Sequence, residues 1–230
     1  MTRRKIAFAT GAYYHIYNRG TDKRKIVLDQ HDINRFLLGL EVFNTECAIG
    51  GVHQSSLKFR SRGSKVELKV PLVEVVAYNI LDNHYHLLLR QLHDDGISKF
   101  MQRMGGGFTK YFNEKYERSG VLFQGPFKSA HVSSDARLVQ LSAYINLNHL
   151  IHKLRTPTSQ WSNRSSWGQY IGKSSRQDGA HAYRKVPVTQ DIILGQFSNA
   201  ASYEREAARI VQDIIAERAD IEKPLLIDPA

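Results

Sequence analysis

The chain is poor in cysteine, with Cys47 as its single thiol among 230 residues. An internal disulfide is therefore excluded, as is a cysteine-based zinc cage, so any metal must be held by histidine, carboxylate or amide groups. Cys47 itself reads as a buried thiol on a helix. No run of eighteen apolar residues is present, which excludes a hydrophobic membrane-spanning helix. The basic start Met1-Thr-Arg-Arg-Lys-Ile-Ala-Phe-Ala-Thr10 has too short an apolar part for a signal segment, and the expected location is cytoplasmic. The glycine cluster Gly105-Gly-Gly107 is not followed by Gly-Lys-Ser/Thr, so a nucleotide-binding P-loop is rejected. No internal repeat is evident.

Positive charge is abundant: 32 Lys and Arg against 22 Asp and Glu leave a formal net charge of +10, with an isoelectric point near 9.7. Basic residues recur beside aromatics and amides, first with Tyr14, Arg19, Lys23, Arg24 and Lys25, then from Lys58 to Lys69 and from Lys110 to Lys128. Lysine and arginine neutralise phosphates and release counterions, while aromatic rings offer unstacked bases a platform. The combination favours a nucleic-acid partner over a merely solvated basic surface.

In chain order, Ala12-Tyr-Tyr-His-Ile-Tyr-Asn-Arg-Gly20 has an aromatic strand pattern ending in a glycine turn, and Ile26-Val-Leu28 reads as a short extension or second strand. Asp29 or Asp32 can cap a helix whose apolar positions are Ile33, Phe36, Leu37, Leu40, Val42 and Phe43. Residues 50–69 read as a basic loop or inserted hairpin. Val73 to Ile80 and His84 to Arg90 then form a hairpin around Leu81-Asp-Asn83. Within its second arm His84 and His86 share one face and Tyr85, Leu87 and Leu89 the other. That spacing can chelate one metal ion, although a His-x-His pair alone is also a common surface feature.

A helix follows with Ile97, Phe100, Met101, Met104, Phe108, Tyr111 and Phe112. Three glycines within it cost about 1 kcal/mol each relative to alanine, so the helix either breaks at Gly105-Gly-Gly107 or admits another backbone closely. The stretch to Ser129 is rich in turns and basic groups, with Arg118, Gln124 and Lys128 as donors around Phe123 and Phe127; those rings suit either stacking or a core. Ser133-Ser-Asp135 caps a helix from Ala136 to about Leu154, buried through Leu138, Leu141, Ile145, Leu147, Leu150, Ile151 and Leu154. Tyr144 and Asn148 stand four apart on one of its faces. Beyond Arg155 a connector with Trp161 and Trp167 and a polar loop from Lys173 to Tyr183 lead to helices over Val188–Phe197 and Ala201–Ile221. The division is thus 1–155 and a helical extension, 156–230.

A His-x-His strand with a later helix bearing a tyrosine and an amide one turn on resembles the single-tyrosine HUH nucleases. The chain is most similar to IS200/IS605-type transposases, and among them to REP-associated tyrosine transposases. The stretches concerned are Tyr14-His-Ile-Tyr-Asn-Arg-Gly-Thr-Asp-Lys-Arg-Lys-Ile-Val-Leu-Asp29, Asn83-His-Tyr-His86, Tyr111 to Ser129 and Tyr144-Ile-Asn-Leu-Asn148, in the family's order. The resemblance implies an α+β fold with a ferredoxin-like βαββαβ core and an antiparallel sheet. It implies a strand transferase that uses Mg²⁺ or Mn²⁺, cleaves single-stranded DNA near hairpins or palindromic repeats and passes through a 5′-phosphotyrosine. His84 and His86 match the metal histidines, Tyr144 the nucleophile and Asn148 the amide ligand; Tyr111 is the rival nucleophile, and Tyr116 and Tyr78 read as structural. The family often has proline where this chain has His149, which leaves His149 or His152 as extra ligands. Two imidazoles and an amide would leave coordination positions open for phosphate oxygens. Since an unperturbed phenol titrates near pH ~10, the nucleophile needs a cationic setting. IS200-like relatives form dimers with composite sites, so a homodimer is one expectation and action by single chains the other. The competing functional class is a domesticated repeat-binding protein of the same fold whose chemistry is dispensable.

Overall fold

A computed structural model describes residues 7–47, 70–151, 164–173 and 186–220. The basic segment 48–69, His152, Leu154, Trp161 and most of the 173–183 loop lie outside the described residues. Four strands form one antiparallel sheet in the order β2-β3-β1-β4: β1 (Tyr13–Arg19), β2 (Val73–Ile80), β3 (His84–Gln91) and β4 (Lys128–Val132). Helix α1 (Gln30–Val42) joins β1 to β2, and α2 (Gly96–Lys115) joins β3 to β4. This is the expected βαββαβ arrangement, with β3 between the two strands that α1 connects.

Alternation along each strand separates two cores. Tyr14 and Ile16 of β1 and Tyr85, Leu87 and Leu89 of β3 pack with α1 and α2. Leu88 faces the other way, toward α3 (Asp135–Asn146). In β2 the pairing register shifts between Val75 and Ala77. The bulge exchanges faces, so Val73 and Val75 share a core with Tyr78 and Ile80, while Val76 and Ala77 join the opposite one.

Helix α1 starts as its sequence dictates: the Asp29 side chain accepts from the Asp32 amide and the Asp32 side chain accepts from the Asp29 amide, a reciprocal capping box. Ile26 and Val27 form no strand. They are buried, and their amides donate to the Asp82 carbonyl, which docks residues 20–27 on the β2–β3 turn. Helix α2 runs unbroken through its three glycines. A methyl at Gly107 would collide with the Phe43 ring and one at Gly39 with Met104, so these two glycines let α1 and α2 approach closely, and Gly105 and Gly106 face open space. Cys47 is exposed and lies beyond the end of α1. The helix ends because Asn44 turns to the Val73 backbone, donating to its carbonyl and accepting from its amide.

The helix after Ser134 is shorter than its periodicity suggests. Leu147 has φ −110° and ψ 16°, and the chain then re-enters a four-residue helix, α4 (Asn148–Ile151). Leu150 is consequently exposed rather than buried. The C-terminal elements are α5 (Trp167–Tyr170), α6 (Asp191–Leu194) and α7 (Ala200–Asp220), where a longer first helix over Val188–Phe197 was anticipated. These elements share the α3 core through Tyr170, Ile193, Tyr203, Ala207 and Val211. Before α5 the chain lines the β2 edge, with the Ile80 amide donating to Arg164 and the Ser166 amide to Tyr78. Residues 164–166 are thus built onto the sheet. Among the described residues no helix is long and apolar enough to cross a membrane.

Candidate active site

The α3 face of the sheet gathers the histidines. Register places Asn79, His86, Tyr17 and Lys128 in one row across the four strands, with Arg19 opposite His84 in the next. His86 is fully buried and His84 half-buried. Their ring centroids are 5.0 Å apart and nearly perpendicular. The edge of Tyr144 meets His86 at 5.6 Å between centroids. Both imidazoles and the tyrosine therefore share one side of the sheet, as the strand alternation required.

Helix α3 is held in place by polar contacts that flank Tyr144. Asn79, in the His86 row, donates to the Ile145 carbonyl at 2.6 Å. Ser166 donates to Asn146 at 2.6 Å, and the Tyr203 hydroxyl lies 3.0 Å from Ser142 and 3.4 Å from the Asn146 amide nitrogen. The C-terminal extension thereby fixes the rotation of the helix that bears Tyr144. Tyr203 is pushed up to about 12 chiefly by burial and stays a neutral hydroxyl.

Asn148 follows the break at Leu147 and is wholly buried. Among the described residues, neither its Oδ1 nor its Nδ2 has a hydrogen-bond partner. Buried amides without partners are rare in folded proteins, and each such group costs about 1–3 kcal/mol. Among the described residues no cluster of three His, Cys, Asp or Glu groups is assembled to hold a metal ion; two imidazoles with an amide form a different donor set. His149, next in sequence, is half-buried, and burial lowers its pKa.

Two further contacts set the histidines. The His15 Nε2 lies 2.9 Å from the His86 Nδ1, and the His84 Nδ1 lies 2.6 Å from the Asn83 Oδ1. His15 stands two residues from Tyr17 within a strand pattern, but only the β1–β3 register reveals which histidine it meets.

The basic residues divide. Arg19 adjoins His84, and Lys128 lies over the Tyr17 ring at 6.0 Å. The Lys23 carbonyl accepts from the Asn83 amide, Arg24 turns back onto the Thr21 carbonyl, and Lys25 pairs with Asp82 at 3.7 Å. Exposed Gln124 reaches the same rim because its amide donates to the Arg19 carbonyl. Arg118 is elsewhere: it bonds to Asn113 and covers Phe112, on the α1–α2 side. Phe123 belongs to the core there, and the half-buried Phe127 packs against it.

Tyr111 also lies on the α1–α2 side. Its hydroxyl donates to the buried Asp32 carboxylate at 3.0 Å, and Tyr116 donates to the other oxygen at 2.8 Å. Burial, together with the charge of Asp32, pushes Tyr111 up to about 12 against the opposing pull of Lys115. Tyr78 is buried, in keeping with a structural role.

The chain is similar to transposases in two respects, one of sequence and one of fold. The family model described as Transposase IS200 like matches residues 66–166, a span that includes both histidines, Tyr144 and Asn148. A solved structure described as the REP-associated tyrosine transposase bound to a REP hairpin shares the fold, with a TM-score of 0.50 and 14% identity, covering 81% of this chain and 100% of that one. The family match agrees with the IS200-like resemblance read from the motifs over residues 66–166, and the solved structure agrees with the expected fold. Comparison with curated proteins gave no match.

Proposed function

We propose that the protein cleaves and rejoins single-stranded DNA beside hairpins, as a transposase-type nuclease and strand transferase dependent on Mg²⁺ or Mn²⁺. The observation that carries this reading is the meeting of Tyr144 with His86 on one sheet face, 5.6 Å between rings, four residues before a buried amide with no partner among the described residues. His84, His86 and Asn148 would hold the cation, which suits an imidazole and amide donor set. When bound, it supplies charge stabilisation at the scissile phosphate and at the departing oxygen.

The tyrosine does the covalent work. Tyr144 Oη attacks phosphorus in line; as the P–Oη bond forms, the bond from phosphorus to the 3′ oxygen breaks. The phenolic proton is released and the 3′ oxygen takes one up, leaving a free 3′-OH and a 5′-phosphotyrosine. One phosphodiester bond replaces another, so attack by a 3′-OH reverses the step and joins strands. Arg19, Lys23, Arg24, Lys25, Gln124 and Lys128 rim the histidine pair and would receive the phosphates of a DNA strand. The structural neighbour is described as bound to a REP hairpin, which supports a hairpin with palindromic arms as the substrate class. The Tyr144 ring meets His86 of its own chain, which supports cleavage in cis, with a composite site in a homodimer as the alternative, and the expected compartment is the cytoplasm.

Incubation with Mn²⁺ and labelled single-stranded hairpin oligonucleotides tests the reading. A covalent protein–DNA adduct should form, fall at least 10³-fold in Tyr144→Phe and persist in Tyr111→Phe. Loss in Tyr111→Phe with retention in Tyr144→Phe would reverse the assignment. Tight hairpin binding with no adduct on any substrate would favour the repeat-binding class instead.

A further inference from the structure

We propose that His15 is a positioning residue for the metal ligand His86: its Nε2 accepts the Nδ1 proton of His86 and so presents Nε2 of His86 to the cation. The inference rests on the metal reading given above.

His15 is 2% exposed, and its ring lies 5.1 Å from His86 at an interplanar angle of 20°. A further ring, Tyr17, packs on it at 4.9 Å, so His15 has little room to turn. Two neutral imidazoles 2.9 Å apart share one proton between the facing nitrogens. If His15 donated it, the proton of His86 would sit on Nε2, and neither nitrogen of His86 could coordinate. If His15 accepts, His86 has its lone pair on Nε2. Coordination through His86 therefore requires His15 to be the acceptor and to bear its own proton on Nδ1.

His84 shows the same device with less ambiguity. Its Nδ1 faces the Asn83 Oδ1 at 2.6 Å, and the amide is oriented by its Nδ2 donating to the Lys23 carbonyl at 3.3 Å. A carbonyl oxygen can only accept, so His84 also has its lone pair on Nε2. Each histidine of the pair is thus set by a second partner at Nδ1, one an amide from the preceding residue and one an imidazole from the neighbouring strand. Such outer partners typically change metal affinity 10–100-fold.

Calorimetric titration with Mn²⁺ alone, without DNA, reads the effect. His15→Phe keeps a ring against Tyr17 and removes the acceptor; its Mn²⁺ affinity should fall about 10–100-fold. His15→Gln places a side-chain carbonyl near the former Nε2 and should recover most of that loss. Nitrogen-15 NMR of the metal-free wild-type protein should show the His86 proton on Nδ1, a readout that needs no variant to fold. Unchanged Mn²⁺ affinity in His15→Phe, or a proton on Nε2 of His86, overturns the role of His15 and leaves the metal reading standing. Absence of Mn²⁺ binding by the wild type instead removes the metal reading, and the nitrogen spectrum still decides the hydrogen-bond direction.

Discussion

The two faces of the sheet each bury polar groups beside a tyrosine, and they treat them oppositely. On the α1–α2 face Asp32 is fully buried, yet it accepts from the Leu28 and Asp29 amides, from Tyr111 and Tyr116, and from Lys115 at 2.8 Å. Lys115 also bonds both oxygens of Asp29 at 2.7 Å. Every donor there has an acceptor, and the cluster locks the start of α1 to the end of α2. On the α3 face Asn148 is equally buried and has no hydrogen-bond partner among the described residues. Burial alone does not separate the two faces; what separates Asp32 from Asn148 is whether the buried group has partners.

The sharpest way to break this contrast is to empty the satisfied cluster. Asp32→Ala leaves an ammonium, two hydroxyls and two amides without their shared acceptor. Removing one member of a buried ion pair costs about 3–5 kcal/mol, and the part exposure of Lys115, 25% of its side chain, points to the lower end. The thermal midpoint should drop on the order of 10 °C, while adduct formation per folded molecule stays near wild type because Tyr144 is on the other face. An unchanged midpoint would show that the cluster is not a structural lock.

A smaller and opposite response is expected at Asn148. Asn148→Leu removes a buried amide that no described residue satisfies, so the thermal midpoint should hold or rise, by up to about 1 kcal/mol in stability. Mn²⁺ affinity should fall about 10-fold or more as the donor set shrinks. A destabilised variant with unaltered Mn²⁺ affinity would place Asn148 with the structural amides, alongside Asn79, and erase the difference between the faces.

Much of this geometry was legible in the sequence where a local rule acts alone. The His84–Arg90 alternation correctly puts both imidazoles on one face, and Asp29 and Asp32 announce the helix start, because a strand's period and a capping box depend only on neighbouring residues. Features set by distant contacts were not legible. β4 is an edge strand of largely exposed residues, Lys128, Ala130 and His131 among them, and has no apolar run to reveal it. The break at Leu147 follows no glycine or proline. Cys47 looked like a helix position until Asn44 turned the chain toward Val73. The partnership of His15 with His86 depends on strand register, which no single segment encodes. Tyr203 and Ser166, which steady the helix that bears Tyr144, come from residues whose pattern suggested only an appended tail.

The least effect separates the two tyrosines by pH. Tyr111 is pushed up to about 12 by burial and by its bond to Asp32, against about 10 in an unfolded chain. A raised pKa means the folded state holds the phenolic proton more tightly, so its contribution is complete below pH ~10 and is lost as pH climbs from there toward about 12. Denaturant midpoints measured from pH 9 to 12 should therefore fall more steeply in the wild type than in Tyr111→Phe. Tyr78 and Tyr203 are also held near 12 and are present in both proteins, so the difference in slope isolates Tyr111. Part exposure of Tyr111 keeps that difference small. Parallel slopes would mean that the Tyr111 hydroxyl contributes nothing to the α1–α2 lock, and the satisfied face would then rest on Lys115 and Tyr116 alone.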